Sequence, residues 1–438
     1  MNKTQSFQSR RDFLKLCGLA GLGVAAPIWL PEVARAESKE AAPYEGPYYV
    51  VFNASGGWDT TYLMDPKGVG EINRLYKEGD ILTKGNHKFA PTAAHIQAGM
   101  SNEDFYNEFG SELLVLNGID YSVNNHGPGA RYMATGKLDS LAYPTFAALV
   151  AACKGPSCPL SFLTFGNYSN TGNLVAMSRI PYLPSLQKVA NADHVEGNIR
   201  SPYHDDFVLD RLERALKEQT DAQLSREVLP RMERAESMLY AAQLNSKAMG
   251  RVTPYIPSKI PKERLSQQVE IALASFKAGV CVSANLTIGQ FDSHANNDVD
   301  QMKLLPEFLG GIAYLMRRAE ELKIREKLVV VIQSEMGRTP EYNKGNGKDH
   351  WSIGSIMFLG QGIRGNRVIG ATDEKQFAVP IQPGTLACDR DNGIRVRPEH
   401  IHQALREFAG IAEHSMSKQF PLVFPEKERL QGMWGSAI

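Results

Sequence analysis

The acidic and histidine side chains that could bind metal fall in four short polar stretches, each following an apolar run. In chain order these stretches read SGGWDTT, NNHGPGARYMATG, FDSHANN and SEMGRTPEYNKGNGKDHW. Carboxylate and imidazole groups together suit zinc, manganese or iron(II) better than calcium, which prefers oxygen ligands alone. Two neighbouring ions would need about this many ligands. The residues concerned are Asp59, His126, Asp292, His294, Glu335, Asp349 and His350.

Asp292 and His294 form the closest pair in this set. In an extended segment, residues two apart point the same way, so both side chains can bind one ion. Glu335 and His350 flank a glycine-rich loop whose backbone freedom lets its two ends meet. We therefore predict a bound divalent metal, zinc or manganese, as one or two ions. Its predicted ligands are Asp59, Asp292, His294, Glu335 and His350.

Two side chains have predicted catalytic roles. Arg338 follows Glu335 closely, and a guanidinium binds phosphate or sulfate through two parallel hydrogen bonds, so we expect Arg338 to hold an anionic group. Arg131 has the same chemistry without an evident partner in the sequence. His126 could act as a metal ligand, a general base or an acceptor of a transferred group.

Each of these residues also has a purely structural interpretation. Asp59 could cap the helix that follows it. Glu335 and Arg338 could form a local ion pair, and Asp349 could hold a turn beside His350. What favours a shared site is the position of all four stretches immediately after apolar strands.

Apolar segments that predict strands alternate with amphipathic segments that predict helices. This alternation indicates an α/β fold with a mostly parallel sheet, in which ligands collect at the carboxyl ends of the strands. Leu209, Leu212 and Leu216 recur at helical spacing, and Pro230 should break or kink that helix. The strands are expected at 48–54, 112–118, 279–290, 327–333 and 355–360, and the helices at 145–152, 205–247, 263–278, 301–323 and 398–412.

The N-terminal residues predict export. Arg10 and Arg11 precede a short apolar run, and Ala34-Arg35-Ala36 resembles a signal cleavage site. We interpret residues 1–36 as a twin-arginine signal peptide, which the twin-arginine translocase would read, and 37–47 as a linker. The apolar run is too short to span a membrane well. The mature chain, with one α/β domain at 48–438 and a helical segment at about 205–278, should then be periplasmic or secreted, without a membrane span.

Composition excludes several functional classes. Lys plus Arg and Asp plus Glu both number 48, so a basic nucleic-acid-binding surface is not indicated. Cys153 and Cys158 bracket a turn and could pair in an oxidising compartment or remain free thiols, and the spacing leaves both open. The cysteines lack zinc-finger spacing. A redox enzyme is disfavoured because the chain has no dinucleotide fingerprint, haem motif or cysteine cluster.

The combination of GGWD, FDSHANN, SEMGRTP and KDHW behind a twin-arginine signal resembles the bacterial family called domain of unknown function 1501. That family looks related to the alkaline phosphatase and sulfatase superfamily. The resemblance implies a three-layer α/β/α sandwich, alkaline phosphatase-like, and hydrolysis of phosphate or sulfate esters of small molecules or glycans. It implies that Asp292, His294 and His350 hold one metal and that Glu335 begins the second ligand pair.

The sequence also departs from that superfamily. Asn53-Ala54-Ser55 stands where an acidic ligand is usual, and Met336 stands where a histidine is expected. His126 lies near the position of the nucleophile, with Ser122 and Thr135 as alternatives further away. A metal-activated water could also attack directly. Two hypotheses therefore remain: an exported metal-dependent hydrolase, or a periplasmic binding or assembly protein on a hydrolase-like scaffold.

Overall fold

The computed structural model describes residues 42–93, 99–191, 193–195, 198–226 and 246–435. The predicted signal peptide at 1–36 and the predicted helix interruption at Pro230 lie outside these residues. The described chain forms two compact units. One unit contains residues 42–192 and 248–438 with the central sheet, and the other contains 193–247.

The first unit is built on an eight-stranded sheet. In chain order its strands are β1 Tyr48–Ala54, β2 Leu114–Asp120, β3 Phe162–Thr164, β4 Met177–Ser178, β5 Ser283–Ile288, β6 Leu328–Ser334, β7 Ile353–Gly360 and β8 Arg367–Ile369. Their order across the sheet is β8-β2-β7-β6-β1-β5-β3-β4. Among these strands only β7 runs antiparallel to its neighbours, so the prediction of a mostly parallel sheet is confirmed.

Both faces of the sheet are buried beneath helices. Every residue of β1 is buried, and alternate side chains enter different cores, because successive strand residues point to opposite faces. Val50 and Phe52 pack in one core with the helices that flank β5, whereas Tyr49 and Val51 pack in the other. Strands covered on both sides read as continuous apolar runs, which is why YYVVFNA and LVVVIQS are so hydrophobic. The fold is therefore a three-layer α/β/α sandwich.

The helices that cover the sheet agree in position with the sequence prediction. In the described part of the chain the α-helices are, in order, α1 Asn102–Phe109, α2 His126–Thr135, α3 Phe146–Lys154, α4 Leu183–Ala190, α5 Asp206–Arg226, α6 Arg264–Lys277, α7 Asn297–Glu321, α8 Pro398–Phe408 and α9 Ser415–Lys418. The face that contains Val50 is covered mainly by α6 and α7, and the opposite face by α3 and α8.

Some predicted boundaries differ from those observed. The strand expected over 279–290 is the six-residue β5, because the residues around it form turns. The helix expected over 205–247 is described as α5, and the segment before α6 is a 3₁₀ helix at Ser246–Tyr255. Residues 227–245 lie outside the described part. Residues 153–203, for which the sequence predicts no strand or helix, contain β3, β4 and α4.

Small two-stranded pairs complete the fold. The pair Gly337–Arg338 with His350–Trp351 directly follows β6, and Arg338 lies opposite His350 in its register. The other pairs are Leu82–Lys84 with His87–Phe89, Ala371–Thr372 with Ala378–Val379 and, in the second unit, His194–Val195 with Asn198–Pro202. No helix in the described part of the chain is long and apolar enough to cross a membrane.

Candidate metal centre

The polar stretches identified in the sequence meet at the carboxyl edge of the parallel strands. Asp292 follows β5, Glu335 follows β6, and His126 begins α2 after β2. His350 belongs to the short pair that joins β6 to β7, which places it at the same edge. The strand order brings these residues together although more than 200 positions separate His126 from Glu335.

His126, Asp292 and His350 form the centre of the site. One potential ligand atom from each residue lies within 4.8 Å of the others. His126 Nε2 is 3.2 Å from Asp292 Oδ2, and His350 Nε2 is 3.2 Å from Asp292 Oδ1. His126, for which a catalytic role was predicted, therefore belongs to the same cluster as the predicted metal ligands Asp292 and His350.

His294 lies on the open side of this cluster. Its Nε2 is 3.2 Å from Asp292 Oδ1 and 2.9 Å from His350 Nε2. The prediction that Asp292 and His294 face the same way therefore agrees with their positions in the structure. The His294 side chain is 47% exposed, so this edge of the cluster is accessible from solvent.

Each of the three imidazoles is held by an acceptor at Nδ1, the nitrogen on its outer side. His350 Nδ1 lies 2.9 Å from the carbonyl oxygen of Asn124, which can only accept a hydrogen bond. His126 Nδ1 lies 2.9 Å from Glu335 Oε1, and His294 Nδ1 lies 2.8 Å from Asp349 Oδ1. With hydrogen at Nδ1, a neutral ring keeps its lone pair at Nε2, and all three Nε2 atoms face Asp292.

The carboxylate at the centre is strongly biased toward its charged form. Burial raises the pKa of Asp292, but the hydrogen bond and the charge of Arg338 outweigh it and lower the pKa to about 2. Negative oxygens therefore face imidazole lone pairs at 3.2 Å. Such an arrangement is favourable when a cation lies between these atoms.

The donor set fits a divalent transition metal. Imidazole nitrogens with one carboxylate are typical zinc, manganese or iron(II) ligands. Two ligand atoms on a tetrahedral zinc, with bonds of 2.0–2.1 Å, lie about 3.3 Å apart. The separations of 2.9–3.2 Å between facing atoms here are close to that value. Outer acceptors that fix the ligating histidines are also characteristic of metal centres.

Glu335 contacts the cluster through His126. Its side chain is 3% exposed, Oε1 accepts the Gly56 amide at 2.9 Å, and Oε2 accepts the Tyr168 hydroxyl. Glu335 was predicted to be a metal ligand, but both oxygens already have protein donors. Its position is that of an outer residue that orients His126.

Arg338 is buried beneath Asp292 and not open to a substrate. Its Nε donates to Gly57 O at 2.8 Å, one terminal nitrogen donates to Lys348 O at 3.0 Å, and the other donates to Gly56 O and, at 2.7 Å, to Asp292 Oδ1. The side chain is fully buried. The predicted role in holding a substrate anion does not match this environment, in which Arg338 positions Asp292.

Asp59 is not brought to the cluster. Its Oδ1 accepts from the backbone and hydroxyl of Thr61, so it caps the 3₁₀ helix Thr60–Tyr62, as the structural alternative expected. Its Oδ2 accepts from Asn297 at 2.9 Å and pairs with Lys348 Nζ at 2.7 Å. Both side chains of the ion pair are fully buried. The predicted ligand therefore has all its lone pairs directed at protein groups.

Gly56 permits the close approach on which this arrangement depends. Its φ is +119°, and a Cβ there would lie 2.5 Å from the Asp292 amide nitrogen. The end of β1 can thus touch the Asp292 loop only with glycine at this position. At the same position the Gly56 amide donates a hydrogen bond to Glu335, and the Gly56 carbonyl oxygen accepts one from Arg338.

Of the two alternative nucleophiles, Thr135 lies apart from the cluster. Thr135 is the last residue of α2, about 13 Å along the helix from His126 at 1.5 Å per residue. Its hydroxyl donates to Arg131 O at 2.7 Å. Ser122 is exposed, in a left-handed turn at φ 58°. Arg131 donates its Nε to Leu138 O at 2.7 Å, which gives it a structural partner.

Sequence reasoning missed three residues that support the cluster. Tyr168 contacts Glu335, Asn124 supplies its carbonyl oxygen to His350, and Lys348 pairs with Asp59. Lys348 immediately precedes the acidic and histidine residues of KDHW, so its position was visible in the sequence. Tyr168 carries no such signal, because only the packing of β3 beside β5 brings it to the site.

Solved structures with a similar fold include sulfatases and an alkaline phosphatase. The PsFucS1 sulfatase from Pseudoalteromonas sp. is 11% identical, with 90% of this chain and 73% of that chain covered and a TM-score of 0.41. Ps i-CgsB is 8% identical, with 89% and 75% covered and a TM-score of 0.40. The alkaline phosphatase from the Antarctic bacterium TAB5 is 9% identical, with 77% and 97% covered and a TM-score of 0.34.

These similarities are weak, with identities of 11% or less and TM-scores of 0.41 or less. Among curated proteins, none matches this sequence. A family model described as "Protein of unknown function (DUF1501)" matches residues 50–401. This span includes every residue of the cluster as well as the strands that position it. The chain therefore belongs to the DUF1501 family, as its sequence stretches predicted.

Proposed function

We propose that this protein is an exported, metal-dependent hydrolase of phosphate or sulfate esters, with small-molecule or glycan esters as substrates. The observation that supports it most is the convergence of three imidazole Nε2 atoms on the Asp292 carboxylate. Each ring is held from outside by an acceptor on Nδ1, so the nitrogens that face inward are those able to bind a metal.

In this proposal His126, Asp292 and His350 hold the ion, and His294 adds a ligand from the open side. A divalent ion bound there would polarise a phosphoryl or sulfuryl oxygen. Arg338 keeps Asp292 in place and charged through the hydrogen bond of 2.7 Å. Glu335 and Asp349 keep two of the imidazoles in the ligating orientation.

The start of α2 is well suited to receive the ester oxyanion. The helix begins at His126, and its N-cap residue Asn125 makes no side-chain hydrogen bond to the first turn. Uncapped amides and the positive end of the helix dipole favour an anion. Gly127 is exposed, and a Cβ there would meet nothing within 4 Å, which leaves room for a substrate group beside His126.

A binding or assembly protein on the same scaffold is the second candidate. The Thr135 hydroxyl and the Arg338 guanidinium, both considered for catalysis, are engaged by backbone carbonyls. A protein that retained the metal for structure or ligand binding would tolerate this arrangement. Such a protein would bind metal but hydrolyse no ester.

The first experiment is elemental analysis of protein purified without chelator or histidine tag, together with Asp292→Ala and His350→Ala. We expect about one or two equivalents of zinc or manganese in the wild type and loss of metal in both variants, with circular dichroism unchanged. Asp391→Ala and His204→Ala, exposed residues outside the cluster, are matched controls that should keep the metal.

Ester hydrolysis then separates the two candidates. The wild type should release p-nitrophenol from p-nitrophenyl phosphate or sulfate, and both cluster variants should lose this activity together with the metal. Full metal content in Asp292→Ala and His350→Ala would refute the site assignment. Metal binding without turnover on either ester class would favour the binding protein.

Export is proposed from the sequence pattern at Arg10 and Arg11. A double Arg10→Lys, Arg11→Lys variant should remain in the cytoplasmic fraction, while the wild type reaches the periplasm in a processed form. Equal export of both would refute the twin-arginine route.

A further inference from the structure

The Glu335 carboxylate is a buried anchor with three donors. The Gly56 amide and His126 Nδ1 lie 2.9 Å from Oε1, and the Tyr168 hydroxyl binds Oε2. A carboxylate whose oxygens accept from a backbone amide and a tyrosine is fixed in orientation. The lone pair directed at His126 is therefore held in one place.

Tyr168 fixes the outer side of this carboxylate. The tyrosine is 3% exposed, and Asn285 of β5 donates its side-chain amide to the Tyr168 carbonyl. Burial, together with the charge of Glu335, raises the pKa of the Tyr168 hydroxyl well above its usual value. The hydroxyl therefore keeps its hydrogen and acts as a donor.

The consequence for His126 follows from its two nitrogens. When Nδ1 donates to Glu335, a neutral ring leaves Nε2 unprotonated and directed at Asp292 Oδ2, 3.2 Å away. If the ring carried its hydrogen at Nε2 instead, that atom would be unable to bind a metal. Outer partners of this kind typically change metal affinity by about 10- to 100-fold.

We propose that Glu335 and Tyr168 are positioning residues that hold His126 in its Nδ1-protonated, metal-binding tautomer. Glu335 in this role replaces its predicted assignment as a ligand, and Tyr168 gains a role that its sequence context did not indicate. The expected effect on metal affinity rests on the proposed metal function. The contact between Nδ1 and Glu335 that sets the tautomer of a neutral ring is made by the protein alone, at 2.9 Å.

The test has one measurement without metal and one with it. Long-range ¹H–¹⁵N spectra of ¹⁵N-histidine-labelled, metal-free protein, recorded at a pH where the rings are neutral, report the tautomer of each ring, and the His126→Asn variant assigns the His126 signals. Isothermal titration with zinc gives the affinity. The variants are Glu335→Ala, Glu335→Gln and Tyr168→Phe.

Glu335→Ala should release His126 from the Nδ1-protonated tautomer and weaken zinc binding by about 100-fold. Glu335→Gln should restore the tautomer, because its carbonyl oxygen can still accept from His126 while its amide faces Tyr168. Tyr168→Phe, the mildest change, should weaken zinc binding by about 10-fold. Tyr132→Phe is the matched control, because Tyr132 donates to another carboxylate, Glu399, away from the cluster.

Distinct results would overturn the inference. If Glu335→Ala keeps the wild-type tautomer and the wild-type zinc affinity, Glu335 does not position His126. If metal-free Glu335→Ala keeps the wild-type tautomer but binds no zinc, Glu335 is a ligand and not a positioning residue. If Glu335→Ala fails to fold, an unchanged affinity in Tyr168→Phe refutes the role of Tyr168. Absence of zinc binding in the wild type would refute the metal function, while the spectra would still test the tautomer.

Discussion

Asp292 and Asp59 are both aspartates in polar loops at the ends of neighbouring parallel strands, yet their environments differ completely. Asp59 is fully buried, and Thr61, Asn297 and Lys348 surround its oxygens. The Asp292 side chain is 40% exposed and faces imidazole nitrogens. The same residue type therefore stabilises the fold in one place and gathers candidate ligands in the other, according to which atoms its oxygens meet.

Lys348 ties the two regions together. Its backbone amide donates to Ser293 O at 3.0 Å, and its carbonyl oxygen accepts from Arg338 at 3.0 Å. Its ammonium pairs with Asp59. The buried pair therefore anchors the loop that carries Asp349 and His350.

The largest expected effect on stability comes from breaking the buried pair. Lys348→Met leaves the Asp59 carboxylate without its cation and should lower the free energy of unfolding by about 3–5 kcal/mol. Asp292→Asn, by contrast, should remove bound metal but lower the stability of the metal-free protein less than Lys348→Met does, because Asp292 is 40% exposed and the Asn oxygen can still accept from Arg338. Urea unfolding without metal measures both.

The double variant Asp59→Asn, Lys348→Met is the control for this prediction. It removes both charges and should recover much of the lost stability. A small loss in Lys348→Met, or a larger one in Asp292→Asn, would reverse the comparison.

Acid should destabilise the protein through two buried histidines, His400 and His402. Burial lowers the pKa of His400 and of His402 to about 4. His400 Nδ1 accepts the Arg397 amide, a bond that protonation would abolish. The unfolded chain binds these protons near pH 6.5 and the folded chain only near pH 4, so stability should fall across that window, by a few kcal/mol in all.

His402→Gln provides the check on this pH dependence. Unfolding free energies of metal-free protein between pH 7 and pH 4 should decline less steeply in the variant than in the wild type. An unchanged slope would show that other groups dominate the acid response.

Replacing Arg338 should lower both the stability of the fold and the affinity of the cluster for zinc. Arg338→Lys cannot reach the carbonyls of Gly56, Gly57 and Lys348 together with Asp292, because an ammonium lacks the planar fork. We expect a loss of about 2 kcal/mol in unfolding free energy and weaker zinc binding. Calorimetric unfolding and zinc titration measure the two effects. Normal stability and metal content with a raised KM would instead restore the predicted anion-binding role.

The smallest effect is expected at the exposed edge of the cluster. Asp349, whose side chain is 59% exposed, accepts from His294 and Asn343. Asp349→Asn keeps an oxygen for His294, so zinc affinity should fall by less than about 10-fold. A loss as large as that in His350→Ala would place Asp349 among the ligands themselves.

The sequence was informative where one local rule determined the outcome. The apolar run 48–54 is β1 to the residue, because a strand buried on both faces needs continuous hydrophobic side chains. The pairing of Asp292 with His294 followed from spacing alone. The length of β5 was overestimated, since apolar character continues beyond the residues that pair with β1.

The sequence alone indicates the alternation of strands and helices, the edge at which the polar stretches collect, and the acidic and histidine residues from which a metal centre could form. Long-range packing selects Asp292 as the acid that faces the imidazoles. Glu335, Arg338 and Asp59 have the chemistry of site residues, but partners distant in the chain, namely Tyr168, the Gly56 carbonyl and Lys348, occupy their hydrogen-bonding atoms. The physical reason is that a side chain's role depends on which of its atoms remain unshared, and long-range packing determines that.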